Sequence, residues 1–422
     1  MKRGKISKLS LVSLILVAAL PKMASAACTL ATGTYTCSGT QTTTETVSAA
    51  GLTYVLDNTF SSNVTTGGAF NLNSTNGINM TQSGTGTIAA GFGSTAAVSL
   101  TNKTAGTIVL DLKGNIIAGG TNTAINIGAN TGTTRVSRTI TRNITGTSAA
   151  GIRIVSASSG IHKVISGPIN VGGQILNLSA FTTSAGGNNV TINGDSSGRG
   201  IYSDSKGTGD NTLTINGNIT NNLDNTGIAV INSSANAGNV LLDLNGSTNK
   251  NIQANNYSTT GTTTVDVAGS VGPTPVFGIN ATSVGGDIKV NVDGSITAST
   301  WGVAANNSGT GNINITTHNI INGSSNGIDA QIVNANSNGA ITINSLGTIN
   351  NTGWGIYTLN SGKGNTTITT SDTVTASGAG VVGLSNGAGA GNVTITTNKD
   401  VIAGSSVGVE GDILNASDLI LF

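Results

Sequence analysis

The sequence predicts an all-β chain folded as a right-handed parallel β-helix: a single-stranded solenoid of about 25 residues per coil with a disulfide-closed N-terminal cap. Three observations carry this. A Gly followed by Ile or Val recurs at Gly77-Ile78, Gly151-Ile152, Gly200-Ile201, Gly227-Ile228, Gly278-Ile279, Gly302-Val303, Gly327-Ile328, Gly355-Ile356, Gly380-Val381 and Gly408-Val409, which divides into 13 near-equal periods. Between the marks, runs such as Val190-Thr191-Ile192, Leu213-Thr214-Ile215, Ile313-Asn314-Ile315 and Val393-Thr394-Ile395 alternate apolar and polar residues, the period of a strand with one buried face. Composition excludes the competing repeats. Gly, Asn, Thr and Ser dominate, so helical repeats are disfavoured. The Leu/Asn consensus of leucine-rich repeats is absent, and aromatics at 3% are too few for propeller blades.

The elements follow in chain order. Residues 1–26 read as a secretory signal: Lys2, Arg3, Lys5 and Lys8 precede an apolar core from Leu9 to Leu20, and Ala24-Ser25-Ala26 places cleavage between Ala26 and Ala27. The core is short for a membrane span. Five of the 18 basic residues lie in this segment, leaving 13 against 17 acids and a mature net charge of −4. No basic stripe remains, so no nucleic-acid partner is expected. Cys28 and Cys37 are the only cysteines; in an exported chain they read as a disulfide closing a small hairpin around Thr34-Tyr35-Thr36. Residues 27–75 are read as the N-terminal cap and first coils, with Thr53-Tyr54-Val55-Leu56 as a strand, and 76–422 as the repeat array. In each coil, inward Ile, Val and Leu fill the interior, outward Thr and Asn form polar ladders, and Gly and Asn supply corners with positive φ. Pro168, Pro273 and Pro275 are expected between strands. At about 4.8 Å per coil the marked region is a rod of about 65 Å. Asp418-Leu419-Ile420-Leu421-Phe422 reads like a fresh strand, so the array is expected to be truncated at its C-terminal end.

The signal segment, the cysteine pair in Ala27-Cys28-Thr29-Leu30 and Cys37-Ser38-Gly39-Thr40, and coils such as Gly391-Asn392-Val393-Thr394-Ile395-Thr396-Thr397 leading to Val407-Gly408-Val409 together resemble an autotransporter passenger region, the pertactin-like β-helix of type V secretion. The resemblance covers the mature chain. It implies export by the Sec machinery, a cell-surface, outer-membrane or extracellular location, and an outer-membrane translocator barrel. Such barrels carry aromatic girdles on many ten-residue strands. With six Phe, five Tyr and two Trp, no such region is expected in this sequence, which is then a fragment, the product of an interrupted gene, or a passenger whose barrel is encoded separately, periplasmic if no translocator is supplied.

Candidate chemistry is sparse. Gly194-Asp195-Ser196-Ser197-Gly198 is similar to the surroundings of a serine-protease nucleophile, but no acid lies between His162 and Asp195, and a Gly/Asp/Ser turn is expected there anyway. His318 and His162 lie too many coils apart to share a metal. Aligning turn glycines puts Asp243 over Asp266, both outward and about 5 Å apart, with Asn291 on the next rung, Asp293 at the turn and Lys289 nearby. This reads as a solvated ladder; weak Ca²⁺ binding is the minor alternative. Trp301 and Trp354, two coils apart, either cover a coil corner or stack on sugar rings. No cofactor, metal site or catalytic residue is expected. The expected function is a non-enzymatic cell-surface adhesin or structural stalk that binds host or matrix surface molecules or glycans. The alternatives are a β-helix carbohydrate-active enzyme and the remnant of an interrupted autotransporter gene.

Overall fold

The computed structural model describes residues 27–414 except 93–95, 105, 120–122, 130–142, 147–149, 157–161, 181–185 and 222–225. The signal segment with its cleavage site at Ala26, and the terminal Asp418–Phe422 run, lie outside the described residues. The chain winds as a parallel β-solenoid with three faces. Ile288–Val292 lies on face I, Ile296–Ala298 on face II and Val303–Asn307 on face III; Ile313–Thr317 then returns to face I, one rung on. Face III is a single 15-stranded sheet running from Glu45–Ala49 to Val409–Ile413. Face I comprises a 5-stranded and a 10-stranded sheet. Face II comprises an 8-stranded and a 6-stranded sheet, bridged through Thr248.

Period-two sequence becomes burial directly. In Ile288–Val292 and Ile313–Thr317 every second residue is buried, and Ile288, Val290 and Val292 stack on Ile313, Ile315 and Thr317. All three faces point such columns inward, so the core is a set of aliphatic ladders along the axis. Each buried aliphatic side chain contributes about 1.5–3 kcal/mol relative to exposure. Near the N-terminus aromatics replace the aliphatics: Tyr35 stacks on Tyr54 with centroids 4.7 Å apart, and Phe70 packs against both Tyr54 and Phe60.

Among the described residues only one strand departs from the parallel pattern. Ala27–Ala31 runs antiparallel along Thr34–Ser38, with Cys28 opposite Cys37 and the two joined as a disulfide. Thr34–Ser38 already pairs in parallel with Leu52–Leu56, so coil geometry begins at Thr34 and the capping part of 27–75 is this single hairpin strand.

The repeat is about 26 residues, in keeping with the about 25 read from the spacing. Four details differ from the sequence reading, the first of them in the marks themselves. The Gly77-Ile78 mark is out of phase: Ile78 opens a face I strand, whereas the equivalents of Ile152 in the preceding rungs are Ile125, Val98 and Phe70 on face III. Those early rungs place Ala124, Ala97 and Ala69 where later rungs place Gly, which is why the marks thin out upstream.

Second, the glycine marks from Gly278 onward do not have positive φ. They are small because the rungs approach closely at this corner. A Cβ on Gly327 would lie 2.5 Å from the Gly355 carbonyl oxygen and 2.7 Å from Ile349 Cγ2.

Third, among the described residues no Asn has positive φ. Many instead point inward at the corner between faces III and I. Asn256 Nδ2 donates to Thr262 O of its own corner (2.9 Å) and to Gly238 O of the corner below (3.1 Å), while its Oδ1 accepts from Ser258 N. Asn360 repeats the whole arrangement, and Asn307 repeats the bond to the corner below and the one its Oδ1 accepts. The amides satisfy backbone groups that a turn buried against its neighbour would otherwise leave unpaired.

Fourth, Pro273 sits inside Val271–Thr274, where the ladder register shifts, rather than between strands. An irregular rung has no hydrogen bond at that point for the missing N–H to break.

Candidate functional site

The sequence-predicted residues fall into separate places. The Asp195–Gly198 string is consumed by inter-coil bonding. Asp195 Oδ1 accepts from Asn218 N (2.8 Å) and Nδ2 (3.1 Å), Ser196 is buried with its Oγ accepting from Ile169 N (2.9 Å), and Ser197 Oγ donates to Asn170 Oδ1 (2.9 Å). His162 begins a face I strand six rungs before Ile313–Thr317, the strand that precedes His318, a separation of about 29 Å. His318 Nδ1 instead lies 3.0 Å from Asp293 Oδ1. Among the described residues no three His, Cys, Asp or Glu side chains converge as a metal site would require.

On face I the ladder has the register read from the sequence. Asp243 is beside Asp266 and Asp266 beside Asn291. Lys289 and Asn314 line a shallow open depression of about 270 Å³ next to Asp266. Asp243 has a long 3.5 Å contact from Asn245 Nδ2, and Asp293 one of the same length from Asn291 Nδ2. Among the described residues this depression is lined by face I side chains and backbone alone.

A different arrangement occupies the edge between faces II and III. Gly302 N donates to Asn326 O and Asn326 is in register with Trp354, so Trp301, Asn326 and Trp354 occupy one column on three successive rungs. The indoles are 37% and 40% exposed. Trp354 also covers the corner: its ring lies over Gly378, where an added Cβ would be 2.5 Å from Cδ1, and it meets Tyr357 at a centroid distance of 5.1 Å. One column into face III, Asp329 is in register with Ala304 on one side and Tyr357 on the other. Asn326 Nδ2 donates to Asp329 Oδ2 (2.7 Å) and Gln331 Nε2 to Asp329 Oδ1 (2.8 Å). Burial pushes the Asp329 carboxyl above the usual carboxylate range, and the bonds from Gln331 and Asn326 pull the other way. Burial, and then the Asp329 charge, raise the Tyr357 phenol.

Comparison of the chain with protein-family models, with curated proteins and with solved structures finds no match.

Of the cluster around Asp329, the sequence reading named only the tryptophans. Asp329 and Tyr357 lie 28 residues apart, and they become neighbours only once the length of that particular coil is known. The available signal was Asn326-Gly327-Ile328-Asp329 over Trp354-Gly355-Ile356-Tyr357: two mark sequences which, aligned on their glycines, put the four side chains side by side.

Proposed function

We propose that the chain is the passenger of an exported, autotransporter-like protein and acts as a cell-surface stalk or adhesin. The observation that carries this reading is the continuity of face III: its fifteen strands pair in unbroken succession, with no inserted domain among the described residues. Such a stack supplies length and repeated outer surface, and it suits binding along ladders and corners better than enclosing a substrate. The signal segment and the early disulfide hairpin support export to an oxidising compartment.

The test is expression of the whole chain, joined to a translocator barrel, in a Gram-negative host. The expected result is a mature N-terminus at Ala27 and a folded rod that added protease reaches on intact cells. An unprocessed chain retained in the cytoplasm would overturn the proposal. Cleavage of a polyuronate by the purified chain would replace it with the carbohydrate-active reading.

A further inference from the structure

We infer that the edge from Trp301 to Trp354 is a binding site for a neutral, hydroxyl-rich glycan lying along the solenoid axis. The inference deepens the adhesin reading and rests on it for the setting in which such a glycan is met. A sugar ring has an apolar C–H face and a rim of hydroxyls, so its receptor needs a flat aromatic platform beside fixed polar groups.

Both are present before any ligand arrives. Trp354 is backed by Gly378 and flanked by Tyr357, which holds the indole in place while leaving much of it exposed. Asp329 is oriented by one amide on each oxygen, and a carboxylate with one bond per oxygen keeps further lone pairs for hydroxyl donors. Trp301 sits two rungs along the same column, about 10 Å away, the length of a disaccharide. A ligand on this column therefore meets Trp301, then the Asn326–Asp329 pair, then Trp354.

Charge selects among glycans. Among the described residues Asp329 makes no ion pair, and its only side-chain partners are the Asn326 and Gln331 amides. A uronate or phosphorylated sugar would bring a second anion against a partly desolvated carboxylate, whereas a neutral hexose brings only donors and acceptors.

The chain contains two tryptophans, both in this column, so tryptophan fluorescence of the mature full chain, excited beyond tyrosine absorption, reports on this edge alone. The test titrates it with neutral hexasaccharides of β-1,4-linked glucose, α-1,4-linked glucose and β-1,4-linked mannose, and with hexagalacturonate, and repeats each titration by calorimetry. The expected result is saturable binding of at least one neutral probe and none of hexagalacturonate. W354A should weaken that binding about tenfold or more, with partial recovery in W354F and an unchanged circular dichroism spectrum. The inference is overturned if no neutral probe binds, if hexagalacturonate binds instead, or if folded W354A binds like the parent. It is also overturned if cells displaying the chain adhere through Trp354 to targets stripped of glycans, which would assign the edge to a protein partner. N-terminal processing and surface display are scored separately: their failure with glycan binding intact sinks the passenger reading and leaves the site standing, and the converse result does the opposite.

Discussion

Face I at Asp243 and Asp266 and the edge at Asp329 use the same side chain on the same solenoid, with opposite results. On face I a carboxylate has its own kind on the next rung, Lys289 close by and only a long amide contact at Asp243. At the edge a single carboxyl is clasped by two amides, with Tyr357 on the adjoining rung and an indole beyond. A ladder repeats one position of the coil, so it multiplies a charge without sheltering it. Shelter arises where different positions of the coil, here those of Asn326, Asp329 and Gln331 and then Trp354 and Tyr357 a rung later, converge at a corner.

The strongest way to break this contrast is to spoil the corner itself. Gly327→Val directs a branched side chain at the Gly355 carbonyl oxygen and Ile349. It should destabilise by at least the 1–3 kcal/mol typical of overpacking, because backbone cannot yield as a side chain can. Denaturant titration checks this, and a wild-type midpoint would show that the rungs are looser than described.

Next is the corner between faces III and I in the rung that carries Tyr357. Asn360→Ala removes donors to Gly339 O and Gly364 O and the acceptor for Gly362 N. The cost should be about 1–3 kcal/mol, read by the same titration, with little change at Trp354.

The third test separates the two carboxylate environments by pH. The folded-state pKa of Asp329 is raised, so the native state binds more protons than the unfolded chain in the window between the ordinary value and the raised one. The group's contribution to stability is therefore fully present below the ordinary carboxylate pKa and is lost as pH rises through the raised value. Asp329→Asn should reduce that fall in a stability–pH profile; an unchanged slope would contradict the sheltered environment. The smallest effect is expected on face I, where Asp266→Asn should shift stability by no more than about 0.5 kcal/mol in either direction. A larger loss would mean that the acidic ladder is structural after all.

Much of this was legible in the residues. Alternation in runs such as Ile313-Asn314-Ile315 shows which side chains are inside, and the turn glycines Gly246, Gly269 and Gly294 set Asp243, Asp266 and Asn291 in their observed register. The inward asparagines were less visible because a buried amide breaks the rule that polar residues face out. Yet Asn232, Asn256, Asn307 and Asn360 each stand four residues after the first inward aliphatic of their strand, at its parity, where Ser283 and Ser385 also stand. The Asp329 cluster was hidden for another reason. A mean period locates rungs to within a residue or two, while side-chain partners depend on each coil's own length, which varies with the corner between faces III and I.

The inward asparagines also bear on how such a rod would respond to tension. The Asn256 and Asn360 amides each tie their own turn to the one below, so those rungs have no complete set of partners without their neighbours. Drawn out by an end, the chain should release one coil at a time, each freeing about 26 residues or roughly 90 Å of slack. A tether built this way lengthens in equal increments while the remainder keeps its grip, absorbing the work of a pull as a ratcheted series of small yields instead of one rupture.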